Sequence, residues 1–307
     1  VTGKKTVGIV GVGKVGTAMA VLLTRAGYDI ACISSTNEEK LTLAEQEVRR
    51  ERTALGVSGG PVVLMDPVPE SAAVDILLIT TSDRVIGDVA RDLVDRGGVS
   101  KGQIVAHMSG SLTSEVLEPV RDRGALAASL HPLQSFADVS QAIENIPGSV
   151  FCLEGDDETL AELSMIIEVL GGVRLEIPAE HKPLYHAGAV VASNYLVSLV
   201  WVSLMMFDAI GLDNRAAIDA LMPLIEGTLK NIRALGAPRA LTGPIARGDW
   251  KTVADHLEVM HTAAPHLVDV YRSMGKLTVR AARENRSTTD ELLDKLNQVL
   301  TAESDGS

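Results

Sequence analysis

The sequence predicts an α/β protein: a Rossmann-type doubly wound parallel sheet followed by an all-α C-terminal domain. Three observations carry this. Short apolar runs alternate with helical patterns from residue 6 to residue 177, as in a parallel sheet covered on both faces. The first run leads into Gly11-Val12-Gly13-Lys14-Val15-Gly16, a G-x-G-x-x-G loop placed between a strand and a helix. Beyond Pro178 nearly every segment reads helical. The domains are therefore set at 1–178 and 179–307.

Apolar runs bounded by turn residues predict strands over 6–10, 29–33, 62–65, 75–80, 103–107, 126–130, 150–153 and 173–177. Helical spacing predicts a helix over 17–26, ended by Gly27 as a left-handed cap. Thr36 and Glu39 form a capping box for a charged helix reaching Leu55. Further helices are expected over 84–94 and 157–170. The C-terminal half reads as helices over 183–208, 214–235, 249–261, 265–284 and 290–300.

At 307 residues the chain suits two domains, and 46% hydrophobic with 22% charged residues is an ordinary globular balance. Aromatics are only 3%, so Ala, Val, Leu and Ile must build the core. The net charge of −12 argues against a general nucleic-acid binder, which needs a basic surface to replace phosphate counterions. Cys32 and Cys152 sit in apolar strand-like runs, where a free thiol behaves as a small hydrophobe. A reducing cytoplasm is the expected setting. Lys4 and Lys5 precede an apolar stretch as in an export signal, but Gly8, Gly11, Gly13 and Gly16 interrupt it. Residues 187–207 carry no charge. Ser193, Asn194, Ser198 and Ser203 interrupt this run, so it is read as a buried helix at an intersubunit or interdomain contact. No membrane span is expected.

In the glycine loop, Gly11 permits the tight turn and Gly13 lets backbone approach a pyrophosphate. Gly16 allows close helix–sheet packing. The amides of Lys14, Val15 and Gly16 open the helix and face the anion. Thr80 and Thr81 end the fourth strand beside this loop. An NAD site usually places a carboxylate at the end of the second strand. Here stand Ser34-Ser35-Thr36-Asn37, which suit a phosphate better than a diol. NADP is therefore expected over NAD, with Lys40 or Arg50 as cations that could reach in.

Hydride chemistry also needs a group that gives or takes the substrate's proton. His107-Met108-Ser109-Gly110 and His131-Pro132 end the fifth and sixth strands, where open parallel sheets bind ligands. Either imidazole could instead cap a strand end. Lys182 and His186 are four apart at the start of the helical half, and Asn194 lies further along. Lys182 is the first choice as proton donor, because burial at a domain junction would lower its pKa. Thr242 and Arg247 lie in a compact loop, and either a structural turn or an anion contact would explain them. His256, His261 and His266 are spaced too widely around a helix to form a metal site.

The stretches Leu130-His131-Pro132-Leu133-Gln134, Leu184-Tyr185-His186-Ala187 and Leu241 to Asp249 resemble a family of Rossmann-like bacterial proteins whose C-terminal half is a domain of unknown function. That family is similar in architecture to ketopantoate reductases, 3-hydroxyacid dehydrogenases and prephenate dehydrogenases. The resemblance implies a helical domain of the 6-phosphogluconate dehydrogenase C-terminal type and a homodimer. It matches Lys182 to the reductases' Lys, and only Asn194 to their Asn. His131-Pro132 and Ser109 resemble prephenate dehydrogenase residues. The expected activity is NADP-dependent hydride transfer to or from a small carbonyl or hydroxy acid, ketopantoate-like 2-oxo acids first. The alternatives are a prephenate-type dehydrogenase, a cyclic-imine reductase, a deazaflavin-dependent enzyme and a non-catalytic NADP sensor.

Overall fold

The computed structural model describes residues 5–65 and 71–302. Eight strands, β1 (Thr6–Val10), β2 (Asp29–Ser34), β3 (Val62–Leu64), β4 (Ile76–Ile79), β5 (Ile104–His107), β6 (Leu126–Pro132), β7 (Val150–Gly155) and β8 (Val173–Glu176), form one sheet. Their order is β3-β2-β1-β4-β5-β6-β7-β8. The helices of this part are α1 (Lys14–Arg25), α2 (Glu38–Ala54), α3 (Asp83–Asp95), α4 (Glu118–Arg121), α5 (Val139–Asn145), α6 (Asp157–Val169) and α7 (Lys182–Ala192).

The period of two along each strand builds two cores. Ile9, Leu78, Ala106 and Ala128 pack with Met19 and Leu23 of α1 and Leu163 of α6. Their neighbours Val10, Ile79, Val105 and Ala127 face Ile86, Ala90 and Leu93 of α3. Both faces are therefore covered, as the unbroken apolar runs require.

Three local expectations need correction. The N-cap of α2 is Asn37, whose side chain accepts from the Lys40 amide at 2.9 Å; Thr36 lies one residue too early. The sheet is not wholly parallel, since β7 runs antiparallel to β6, with His131 opposite Cys152. A parallel return would have to retrace the length of β6. The link contains only the seven-residue α5, which spans about 10 Å, so the chain turns back at the same end of the sheet. Finally, the helix expected over 183–208 is two helices, broken at Ser193 (φ −112°, ψ −68°).

Contacts divide the chain into units 1–193 and 194–307, so α7, beyond the sequence boundary at Pro178, packs with the sheet. The second unit contains α8 (Asn194–Asp208), α9 (Asn214–Leu235), α10 (Gly243–Ala246), α11 (Trp250–Ala263), α12 (Val268–Glu284) and α13 (Asp290–Thr301). Ile245, Val253, Val279, Leu293, Leu296 and Leu300 form one of its cores. A smaller cluster around Leu257, Met260 and Leu267 receives Val202, Met205 and Met206 of α8. The expectation that 187–207 is a buried helix does not hold within the chain. No residue of α8 is buried, and Val197 and Trp201 are 70% and 63% exposed. Among the described residues, the stretch Ala179–Asp208 is the one long and apolar enough to cross a membrane.

Candidate functional site

The glycine loop follows β1 at the point where strand order reverses between β1 and β4, the usual ligand crevice of an open sheet. Gly11 has φ +98°, which an L side chain rarely adopts. A Cβ on Gly16 would lie 2.4 Å from both the Gly11 carbonyl oxygen and Thr80 Oγ1, so only glycine lets α1 approach the sheet this closely. Gly13, by contrast, opens onto free space. It caps α1 without a side-chain hydrogen bond, so the first-turn amides remain available to an anion.

A cleft of about 780 Å³ extends from this loop along the ends of β2 and β4, and Gly13, Ser35, Thr36, Lys40, Thr80 and Thr81 line it. Thr80 Oγ1 donates to the Gly11 carbonyl at 2.6 Å and fixes the loop. Thr81 Oγ1 is buried with no hydrogen-bond partner in the protein, a polar atom that awaits a ligand. The cleft thus fits a dinucleotide in shape and in donors.

The β2 end differs in detail from a row of free hydroxyls. Ser34 is buried, and its carbonyl accepts the Gly11 and Val12 amides. Ser35 Oγ accepts the Asn37 amide at 3.1 Å. Those two residues shape the turn as well as lining the cleft, as Thr36 and Lys40 also do. Arg50 is paired with Glu47 and does not line it. Lys14 Nζ reaches the Phe136 carbonyl at 3.2 Å.

A second constellation lies at the ends of β5 and β6. His107 is fully buried, its Nδ1 accepting the Ser109 amide at 3.1 Å and its Nε2 lying 3.1 Å from the Thr113 carbonyl. Nδ1 accepts, so the proton sits on Nε2. Burial, with Lys182 nearby, pushes its pKa down to about 4. This imidazole ties the loop after β5 through both ring nitrogens. Ser109 is also structural, because its Oγ accepts the Ser111 and Leu112 amides at 3.2 and 3.1 Å.

His107 has a measurable consequence for stability. Its pKa falls from 6.5 in the unfolded chain to about 4 in the folded one, so the unfolded chain binds the proton first. Stability is fully present above pH 6.5 and declines as pH falls through the window to 4, by roughly 3 kcal/mol for this residue. Urea unfolding midpoints measured across that window should fall less steeply for His107→Gln than for the parent chain. Parallel slopes would show that His107 is not buried in its neutral form.

Lys182 opens α7 and is fully buried. Its Nζ donates to the Ser109 carbonyl at 3.0 Å, to the Leu112 carbonyl and to Ser129 Oγ. Burial lowers its pKa to about 8, against the opposing charge of Glu154. All three hydrogens point into the protein, so the ammonium ties the loop after β5 to β6 and has none left for a substrate. The first-choice proton donor is thus placed as a strut.

One turn along the same helix, His186 meets the same loop. A Cβ on Gly110 would lie 2.6 Å from His186 Nδ1 and 2.7 Å from His131 Nε2, so the two imidazoles converge on this glycine and a side chain there would have to displace them. His186 Nδ1 is buried without a partner, and the ring centroids are 6.1 Å apart. His131 is held at the other nitrogen by Tyr185, whose hydroxyl lies 3.1 Å from Nδ1. Burial first, then the Lys182 and His186 charges, lower the His131 pKa to about 4. Asp83, at the start of α3, accepts from Ser111 Oγ at 2.8 Å.

Sequence reading found His131, His186, Ser109 and Lys182, and the structure gathers all four around one loop. It missed Tyr185 and Gly110. The spacing of Tyr185 from Lys182 was the available signal, since residues three and four apart share a helix face. Asn194 opens α8 in the second unit. Thr242 and Arg247 are exposed, while Ile245, Gly248 and the N-cap Asp249 account for their loop by packing and capping. Among the described residues no group of three or more His, Cys, Asp or Glu could hold a metal.

A glycine-loop sheet with an imidazole cluster at its strand ends has the fold of NAD(P)-dependent reductases and dehydrogenases. The chain itself combines two known domains: residues 2–132 match the Rossmann-like domain, and residues 149–278 match the domain of unknown function DUF2520. No curated protein matches it in sequence. Among solved structures, protein TM1727 from Thermotoga maritima is similar, with 27% identity, TM-score 0.68, and 91% of this chain and 99% of that one covered. Protein BF3122 from Bacteroides fragilis, whose assignment as an NADP oxidoreductase is provisional, has 19% identity, TM-score 0.71, and coverage of 90% and 98%. An imine reductase from Pseudomonas sp. has 17% identity, TM-score 0.55, and coverage of 96% and 92%.

Proposed function

We propose that the protein is an NADP-dependent oxidoreductase acting on a small carbonyl or imine compound, with His131 and His186 at the reacting group. The observation that carries this reading is the pair of imidazoles converging on Gly110. They stand at the same sheet end as a cleft with an orphaned Thr81 hydroxyl and an uncapped helix α1. The loop 11–16 would hold the pyrophosphate, and Thr36 and Lys40 the 2′-phosphate. When bound, the cofactor supplies or removes hydride.

The chain's own groups orient and polarise. His131 has Nδ1 engaged by Tyr185 and leaves Nε2 to meet the substrate heteroatom, while Nδ1 of His186 offers a second contact. Lys182 holds the loop that carries Gly110, and its charge adds to burial in keeping His131 neutral. A 2-oxo acid, the class first expected, would need a cation for its carboxylate, and in this constellation the only ammonium is turned inward. The test is therefore a panel of 2-oxo acids, cyclic imines and prephenate, assayed with NADPH, NADP and their NAD counterparts. Turnover of a carbonyl or imine with tighter NADPH than NADH binding is expected. No turnover together with tight NADPH binding would favour a sensor. Equal or tighter NADH binding would overturn the NADP assignment.

The exposed apolar face of α8 belongs to the same reading. Tyr195, Val197 and Trp201 of α8 all stand exposed, the kind of apolar surface that marks an interaction site, and we assign it to a second copy of the chain. Detergent-free purification should yield a dimer by light scattering. A monodisperse monomer, or recovery only in a membrane fraction, would reject that assignment. Cytoplasmic placement stays part of the proposal, in keeping with two buried cysteines.

A further inference from the structure

The antiparallel pairing of β6 and β7 sets His131 directly opposite Cys152, so their side chains share one face of the sheet. Tyr185 of α7 reaches both. Its hydroxyl lies 3.1 Å from His131 Nδ1, the two rings meet edge-on at 5.9 Å, and the Cys152 side chain is close enough to act on it electrostatically. The three groups form a short chain from inside the unit to the imidazole.

The direction of hydrogen bonding along this chain follows from acceptor strength. The phenol has one hydrogen and two neighbours that could take it, an imidazole nitrogen and a sulfur. A thiol is a weak acceptor and a neutral imidazole nitrogen a good one, and Nδ1 is the partner at hydrogen-bond distance, so the phenol donates to Nδ1. Burial raises both the Tyr185 and Cys152 pKa values, so each group keeps its proton. A neutral imidazole that accepts at Nδ1 carries its hydrogen on Nε2, and Nε2 faces Gly110.

We propose that Tyr185 is a positioning residue that holds His131 as its Nε2–H tautomer, so that the site offers a hydrogen-bond donor. The substrate atom that it takes is then a lone-pair acceptor, a carbonyl oxygen or an imine nitrogen, and not a hydroxyl that needs a base. The hydrogen bond strengthens as negative charge gathers on that atom, with no proton leaving His131, and solvent water supplies the proton that completes the alcohol or amine. The tautomer stands on the geometry alone; the substrate class rests on the oxidoreductase reading.

Long-range proton–nitrogen correlations of the ¹⁵N-labelled protein at neutral pH report the tautomer directly, with the His131 signal identified by its loss in His131→Asn. The Nε2–H form is expected in the parent chain and a mixture of tautomers in Tyr185→Phe, which keeps the ring. With the substrate found by the panel, Tyr185→Phe should lower kcat at least about tenfold and leave KM nearly unchanged. An Nδ1–H form in the parent chain, or an unchanged tautomer in Tyr185→Phe, would overturn the proposal. The parent spectrum decides even if the variant folds poorly. The Nε2–H form with no turnover of any carbonyl or imine would leave the tautomer in place and overturn the substrate class.

Discussion

Replacing Lys182 with Met is expected to cost roughly 2–5 kcal/mol of folding stability, because it strips a buried donor from three acceptors at once. Met matches the length of the lysine stem, so the loss comes from hydrogen bonding more than from a cavity. The Ser109 and Leu112 carbonyls and the Ser129 hydroxyl would each lose a partner, and Glu154 would lose the opposing charge. The loop carrying Gly110 should loosen, and turnover should fall with it. Urea unfolding checks the first effect and a steady-state assay the second. Unchanged stability with lost turnover would return Lys182 to the chemistry, since a proton donor can be removed without weakening the fold.

His131→Asn should behave in the opposite way. The side chain is half-buried, and Asn Nδ2 and Oδ1 can still meet Tyr185, so the fold should survive. What disappears is the ring nitrogen beside Gly110. Turnover should drop roughly 10²-fold or more, while the dissociation constant for NADPH stays within a few-fold of its parent value, since the cofactor cleft does not include His131. Isothermal titration with NADPH and single-turnover rates separate the two quantities. Turnover within a few-fold of the parent would move the chemistry to His186, whose buried Nδ1 lacks a partner.

Much of the scaffold follows from local physics and was legible in the amino-acid order. Gly11, Gly13 and Gly16 mark the β1–α1 turn because each solves a local steric problem. Two of these are visible in the structure, a positive φ at Gly11 and a 2.4 Å approach at Gly16. The alternation of apolar runs with helices marks six of the eight strands, β1 to β6, as a parallel set in the same way, while β7 and β8 run together against them. Helix α9 came out at the expected bounds, capped by Asp213. In contrast, the direction of β7 depends on how far α5 can carry the chain, which no residue in β7 records.

The neighbours of each candidate site residue were decided only by tertiary structure. A lysine at the start of a helix reads the same whether its ammonium faces a substrate or a loop. Lys182 is a strut because its acceptors come from residues 109, 112 and 129, which the sequence places far from it. His107, His131 and His186 are likewise three similar imidazoles in the sequence. Their neighbours separate them: His107 has both nitrogens engaged, His131 one, and Nδ1 of His186 none. The apolar run of α8 could be read for its composition but not for its burial, because exposure depends on what other segments cover it. Residue type and spacing thus determine which elements form and which groups could react. Which groups remain free to react is a matter of long-range contacts, because hydrogen bonds and burial are properties of pairs.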